Sequence, residues 1–214
     1  MGYESPMPVQ EEVIPFLLGD DNDVIALAQT GTGKTAAFGL PILQKIDVTT
    51  YHPQALVLCP TRELCLQIAD NLNDYSKYID NLKVLPVYGG SSIESQIKTL
   101  KRGVHVVVAT PGRLLDLMNR KTVDLSLVKN VIMDEADEML NMGFTDSINA
   151  ILAEVPENRN MLLFSATMPK EIANITKKYM KNPKEIVIGN KNEGNKNIRD
   201  IYYMVQARDK YLDL

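Results

Sequence analysis

The chain has 214 residues, enough for one α/β domain with a full core, and its content of 45% hydrophobic and 23% charged residues is ordinary for a soluble globular domain. Its formal net charge of −4 argues against a surface that attracts nucleic acid everywhere, so any nucleic-acid contact has to be local. No apolar run approaches the roughly 18 residues of a membrane helix, and no signal-peptide core is present, so we expect a cytoplasmic protein without a membrane partner.

Short apolar runs alternate along the chain with stretches of helical periodicity. The apolar runs predict seven strands: Val24–Ala28, Ala55–Cys59, Lys83–Val87, Val104–Ala109, Asn130–Met133, Met161–Ser165 and Ile186–Ile188. Between them, helical spacing predicts helices that include Glu63–Tyr78, Ser92–Arg102 and Lys170–Met180. Because nearly continuous Val, Ile and Leu mark strands covered on both faces, we predict a three-layer α/β fold with a doubly wound parallel sheet. Such sheets bind ligands at the carboxyl ends of their strands.

A glycine-rich turn follows the first predicted strand. Residues 28–35 read AQTGTGKT, the pattern of a phosphate-binding loop with alanine in place of the first glycine. Backbone N–H groups and the positive end of the following helix can hold the phosphates of a nucleoside triphosphate. Lys34 would reach the β- and γ-phosphates, and the Thr35 hydroxyl would ligate Mg²⁺. The predicted nucleotide site therefore contains Gln29, Thr30, Gly31, Thr32, Gly33, Lys34 and Thr35.

Two adjacent carboxylates follow the fifth predicted strand. Asp134 can hold Mg²⁺, and Glu135 is placed to orient and deprotonate an attacking water molecule. Acidic residues after a strand are also favourable at an ordinary helix N-terminus. The upstream phosphate loop nevertheless favours catalysis, so we predict catalytic roles for Lys34, Asp134 and Glu135.

The order of the motifs resembles that of the DEAD-box RNA helicases. Residues 134–137 spell DEAD, and residues 2–10 (GYESPMPVQ) are similar to the family's Q motif, in which the glutamine, here Gln10, reads the adenine edge. This resemblance implies ATP and Mg²⁺ as cofactors and adds Tyr3, Ser5 and Gln10 to the nucleotide site.

Further motifs resemble those by which the family binds RNA. The resemblance implies RNA-binding residues in three segments: Thr61 and Arg62; Gly89 and Gly90; and Thr110, Pro111, Gly112 and Arg113. It also implies that Ser165 and Thr167 couple hydrolysis to strand separation. Because each RNA motif follows a strand, we expect all three beside the phosphate loop, with contacts to sugar and phosphate and little preference for base sequence.

The resemblance also suggests how the chain is organised. It implies a RecA-like helicase ATP-binding domain over residues 1–188, a linker over 189–197, and the start of a truncated second RecA-like domain over 198–214. The second domain would supply the arginine-rich motif that completes the ATP site. We therefore expect a monomeric fragment that by itself is nearly inactive as an ATPase.

Two other functions remain open on the sequence. A GTPase would also have the phosphate loop, and residues 190–193 (NKNE) are similar to its guanine-reading motif, although Glu193 stands where aspartate is expected. An ATP-gated RNA clamp would bind RNA without unwinding it. The motifs of a first domain do not separate a clamp from a helicase.

Overall fold

The structure is a computed structural model that describes residues 4–19 and 23–188. Within these ranges seven strands form one sheet: β1 (Val24–Leu27), β2 (Ala55–Leu58), β3 (Val84–Val87), β4 (Val106–Ala109), β5 (Asn130–Met133), β6 (Asn160–Ser165) and β7 (Lys184–Val187). The order is β3-β4-β2-β5-β6-β1-β7, and every neighbouring pair is parallel. Strands β3 and β7 are therefore the edges of the sheet in the described part of the chain, and Pro86 lies in the edge strand β3.

Helices cover both faces of this sheet. In the described ranges they are α1 (Pro8–Gly19), α2 (Lys34–Lys45), α3 (Arg62–Tyr75), α4 (Ile93–Lys101), α5 (Pro111–Asn119), α6 (Ala136–Asn141), α7 (Thr145–Glu154) and α8 (Lys170–Tyr179). Apolar residues of α1, α2 and α3 form a core on one face, and those of α4 to α8 pack on the other. Leu56 and Val57, adjacent in β2, face opposite cores, which explains why the strand is apolar throughout. None of the helices within residues 4–19 and 23–188 has the length and apolar character needed to cross a membrane.

The predicted elements are confirmed, with small differences at their ends. Strand ends differ from the prediction by two residues at most. The helix predicted over Glu63–Tyr78 ends earlier, at Tyr75, because Ser76 caps it and its carbonyl oxygen accepts a hydrogen bond from Ile79 N in a following turn. The predicted linker and second-domain segment, residues 189–214, and Tyr3 lie outside the described residues.

The parallel register brings the carboxyl ends of the strands to one edge of the sheet, here called the carboxyl rim. The last residue of β2, Leu58, pairs with both Ala109 of β4 and Met133 of β5. Leu27 of β1 similarly pairs with Ser165 of β6. The phosphate loop, the acidic pair and the three RNA motifs therefore begin at this same rim, as the sequence predicts.

At the opposite edge, Asp23 joins three strands. Its buried carboxylate accepts hydrogen bonds from Met161 N at 2.7 Å and from Lys181 N at 2.5 Å. Its backbone oxygen accepts a third hydrogen bond, from Lys184 N at 2.9 Å. Asp23 therefore aligns the beginnings of β6 and β7 with that of β1.

Replacing Asp23 should destabilise the fold. Asp23→Ala leaves two backbone N–H groups without their acceptor, and we expect a loss of about 2–4 kcal/mol in the free energy of unfolding. Urea denaturation monitored by circular dichroism would measure it. Asp70→Ala, at an exposed position on α3, is the control and should change the unfolding midpoint little. Equal midpoints for the two variants would contradict the assigned role.

Candidate active site

The phosphate loop leads directly from β1 into the N-terminus of α2. Gly31 and Gly33 adopt positive φ angles of 78° and 80°, which other residues rarely adopt, and the Thr32 hydroxyl closes the turn by donating to Gln29 O at 2.8 Å. Gly33 is also the N-cap residue of α2. This loop and helix end supply the N–H groups and the positive dipole end that bind phosphate in other proteins.

A buried ion pair joins the phosphate loop to the acidic pair. Lys34 Nζ lies 3.4 Å from Asp134 Oδ1, and the side chains are only 7% and 4% exposed. Burial raises the pKa of the Asp134 carboxyl, and the Lys34 ammonium counteracts part of that rise. Asp134 Oδ1 also accepts a hydrogen bond from Glu135 N at 3.0 Å. The structure thus brings together the lysine and the aspartate that the sequence predicts to share one site.

Glu135 forms the turn between β5 and α6. Its φ of 51° lies in the left-handed region, which is unfavourable for a residue with a side chain and is found more often at functional sites. Partial burial raises the pKa of its carboxyl, and repulsion from the neighbouring Asp134 raises it further. Strain and repulsion both indicate that a carboxylate at this position does not serve stability.

Gln10 ties α1 to the phosphate loop. Its Nε2 donates to Gly33 O at 3.2 Å, and its Oε1 accepts from Met7 N at 2.9 Å. A Cβ atom on Gly33 would lie only 2.5 Å from Gln10 Nε2, so a side chain at this position would displace the Gln10 amide as well as strain a backbone with a φ of 80°. The predicted adenine-reading residue therefore lies beside the loop, while Ser5 is exposed and Tyr3 is outside the described residues.

A second connection links the acidic segment to the loop after β6. The backbone N–H and the hydroxyl of Thr167 both donate to Asp137 Oδ2, at 3.0 Å and 2.8 Å. Ser165 Oγ donates to Thr167 O at 2.7 Å and so fixes the loop from within. No role is predicted for Asp137 from the sequence, although its position in the DEAD tetrapeptide could have indicated one.

The three predicted RNA motifs also lie together on the carboxyl rim. Thr61 caps α3 by accepting from Leu64 N at 3.2 Å, and Thr110 is the N-cap residue of α5, ahead of Pro111 and Gly112. Their arginines reach the segment that contains Gly89 and Gly90. The Arg62 guanidinium lies 5.0 Å from the centre of the Tyr88 ring, and both terminal nitrogens of Arg113 donate to Ser91 O at 3.2 Å.

Arg113 also donates to Gln96, a residue that the sequence analysis does not identify. Ile93, Ile97 and Leu100 of α4 pack against the core, and position 96 falls on the same side of the helix. A polar residue within that apolar stripe is the signal that could have revealed it.

The oxygen donors in this site suit Mg²⁺. No group of three or more His, Cys, Asp or Glu side chains within residues 4–19 and 23–188 is arranged to hold a metal ion. Mg²⁺ does not require such a group, since it typically uses one or two carboxylates with substrate phosphates and water. The Asp134 carboxylate and the Thr35 hydroxyl are donors of the required kind.

Comparisons with known proteins agree with this geometry. The family model described as "DEAD/DEAH box helicase" matches residues 7–175. The chain is 51% identical over 208 residues to the ATP-dependent RNA helicase DeaD of Mycobacterium tuberculosis, covering 97% of this chain and 37% of that protein. It is 48% identical over 211 residues to the DEAD-box ATP-dependent RNA helicase CshA of Bacillus cereus, covering 99% of this chain and 40% of that protein.

A solved structure supports the same grouping. The crystal structure of a DEAD box protein from the hyperthermophile Methanococcus jannaschii superposes with a TM-score of 0.83 at 46% sequence identity. The match covers 87% of this chain and 50% of that chain. The present chain thus spans half or less of each of these relatives.

Removing the Glu135 charge should stabilise the protein measured without nucleotide or Mg²⁺. Glu135→Gln relieves the repulsion from Asp134 and the burial of a charged group, so we expect the melting temperature to rise by about 1–4 °C. Differential scanning calorimetry would measure the change. Glu171→Gln is the control: this exposed residue lies in the first turn of α8, where a negative charge is favourable, so no rise is expected. An unchanged or lower melting temperature for Glu135→Gln would contradict the interpretation.

Proposed function

Because this chain belongs to the DEAD/DEAH box helicase family, we propose that it is the ATP-binding domain of an ATP-dependent RNA helicase that locally unwinds RNA duplexes. The observation that carries the proposal is the shared rim, where a phosphate loop, an acidic pair and three candidate RNA motifs lie side by side. Residues 1–188 would form the first RecA-like domain, 189–197 a linker, and 198–214 the start of a second domain. The greater length of the relatives supports this division.

The nucleotide would bind between the phosphate loop and the acidic pair. Loop N–H groups and Lys34 would hold the β- and γ-phosphates, while Gln10 would select adenine, with Tyr3 and Ser5 as further contacts. Thr35 and Asp134 would hold Mg²⁺, which would neutralise phosphate charge. Glu135 would orient the attacking water and accept its proton, a role that suits a carboxylate whose pKa is raised.

Hydrolysis would be transmitted to RNA through contacts along the rim. The hydrogen bonds between Asp137 and Thr167 join the acidic segment to the loop after β6. Movement at the γ-phosphate would therefore change the position of Thr167 and of Ser165, which donates to Thr167 O. The RNA strand would contact Arg62 and Arg113 through its backbone phosphates, with little dependence on base sequence.

We also propose that the protein acts as a monomer in the cytoplasm. Cys59 and Cys65 are both buried and free, as expected of thiols in a reducing compartment. Of the alternatives, the GTPase hypothesis depends on residues 190–193, which lie outside the described residues. An unwinding assay on a short RNA duplex would separate a helicase from an ATP-gated clamp.

Lys34 and Glu135 should fail in different ways in the full-length protein. Lys34→Ala removes the ammonium group that would neutralise phosphate charge, and it should weaken ATP binding by about tenfold or more. Glu135→Gln, in contrast, should bind ATP with normal affinity. Glu135→Gln should lower RNA-stimulated ATP hydrolysis by about a hundredfold or more because it removes the base. Binding of a fluorescent ATP analogue and steady-state phosphate release would measure the two effects.

Each outcome bears on a specific role. Native hydrolysis by Glu135→Gln would show that another group activates the water. Native ATP affinity in Lys34→Ala would remove the lysine from the phosphate site. If the unmodified full-length protein lacked RNA-stimulated hydrolysis, the proposed function itself would be wrong.

Gln10 should determine the preference for ATP over GTP. Its amide can both donate to and accept from the adenine edge, a pattern that guanine does not match. Gln10→Ala should therefore reduce the ATP-to-GTP affinity ratio by about tenfold. Met7→Ala is the control, because the Met7 side chain also lies beside Gly33. Its loss should lower the affinities for ATP and GTP by the same factor. Equal ATP and GTP affinities in the unmodified protein would contradict the base-reading role.

A further inference from the structure

Gln96 is a buried polar residue on the face of α4 that packs against the core. Its side chain is 6% exposed, and Ile93, Ile97 and Leu100 share that face of the helix. Burying an amide in such surroundings is unfavourable unless its hydrogen-bonding groups are satisfied. The partners of Gln96 therefore indicate why it is there.

Those partners flank one candidate RNA motif and belong to another. Gln96 Nε2 donates to Tyr88 O at 3.1 Å and to Ser91 Oγ at 2.7 Å, and Gln96 Oε1 accepts from Arg113 Nη1 at 3.1 Å. The orientation of the amide is fixed by chemistry, because a carbonyl only accepts and a guanidinium only donates. Both N–H groups and the oxygen are thus in use, and a fully satisfied buried network of this kind is rigid.

The two donated bonds hold the ends of one turn. Tyr88 and Ser91 directly flank Gly89 and Gly90, and Gly90 has a φ of 79°. The Gln96 side chain therefore hydrogen-bonds to both residues that flank this glycine turn, which limits movement of the turn. Without the bridge, the two glycines would leave the backbone free to adopt many conformations.

The accepted bond fixes the arginine of the neighbouring motif. Arg113 gives one hydrogen bond to Gln96 and two to Ser91 O, and these use three of its five N–H donors. Two donors are left for a phosphate. On the other side of the turn, the Tyr88 ring lies against the Arg62 guanidinium. The Gln96 amide thus connects the glycine turn directly to Arg113, while Arg62 reaches the same turn separately, through the Tyr88 ring.

We propose that Gln96 is a positioning residue for RNA binding: it holds the glycine turn and the Arg113 guanidinium in the arrangement that successive RNA phosphates recognise. The inference rests on the proposed function, because it assumes that these motifs bind RNA. It assigns Gln96 no contact with RNA or nucleotide. A residue that only supported the fold would affect nucleotide and RNA binding together.

The test uses the full-length protein with Gln96→Met, which keeps the shape of the side chain and removes its hydrogen bonds. Fluorescence anisotropy with a labelled single-stranded RNA and a non-hydrolysable ATP analogue would give RNA affinity. We expect Gln96→Met to weaken RNA binding about five- to thirtyfold. ATP affinity, melting temperature and kcat at saturating RNA should stay close to the unmodified values, so that only the RNA concentration for half-maximal ATPase activity rises.

Two further variants keep the test decisive. Gln67→Met makes the same replacement at an exposed position of α3 and should leave RNA affinity unchanged. Ser91→Ala removes one partner of Gln96 at a half-buried position and should weaken RNA binding about two- to fivefold, even if Gln96→Met folds poorly. Because Gln96 acts through Arg113, the RNA-binding losses of Gln96→Met and Arg113→Lys should be less than additive when combined.

The outcomes separate this inference from the proposed function. If the unmodified protein binds RNA and Gln96→Met binds it equally well, the inference is wrong and the proposed function stands. Parallel losses of ATP affinity, melting temperature and RNA affinity, additive with Arg113→Lys, would also overturn it, since they indicate general support of the fold. If the unmodified protein does not bind RNA, the proposed function fails first.

Discussion

The arrangement of the candidate site depends on the single direction of the strands. Parallel strands cannot be joined by tight hairpins, so the chain has to return across a face of the sheet, mostly as a helix, before each new strand. Every such crossover begins with a loop at the carboxyl rim. The motifs at residues 28–35, 60–64, 89–90, 110–113 and 134–137 begin in five of these loops, and four of them continue into the first turn of the next helix. Groups far apart in sequence are therefore adjacent at this rim. At the amino ends of the strands, Asp23 keeps neighbouring strands in register.

Side-chain bonds then turn neighbouring loops into connected units. On the nucleotide side, Gln10 contacts the phosphate loop, Lys34 pairs with Asp134, and Asp137 contacts Thr167. Among the candidate RNA motifs, Arg113 and Gln96 enclose the segment around Gly89 and Gly90. Because each of these bonds crosses between elements, a displacement in one loop has a direct route to the next.

The sequence predicts the fold and the composition of the site better than its internal connections. Continuous apolar runs such as Ala55–Cys59 report burial on both faces, and the phosphate loop is recognised because its local spacing fits one ligand. Neither pattern indicates which residue a given side chain hydrogen-bonds to in the folded protein. The hydrogen bond between Arg113 and Gln96 joins two separate helices. The Gln10 amide likewise donates to Gly33 O and accepts from Met7 N. Such pairings follow from tertiary packing, which hydrophobic periodicity does not encode.

The proline in β3 has a consequence for how copies of this molecule behave in a crowded solution. Open sheet edges invite a strand from another chain, which is a common route to aggregation. The carbonyl oxygens of Lys83 and Val87 accept hydrogen bonds from His105 N and Thr110 N on the β4 side. Because the backbone polar groups of successive residues in a strand point to opposite sides, the backbone nitrogen of Pro86 points away from β4. Within the described residues, where β3 is an edge strand, Pro86 therefore removes an N–H group from that edge without breaking a bond inside the sheet. A strand that approached from outside would find no donor at that position, which protects against edge-to-edge association between molecules.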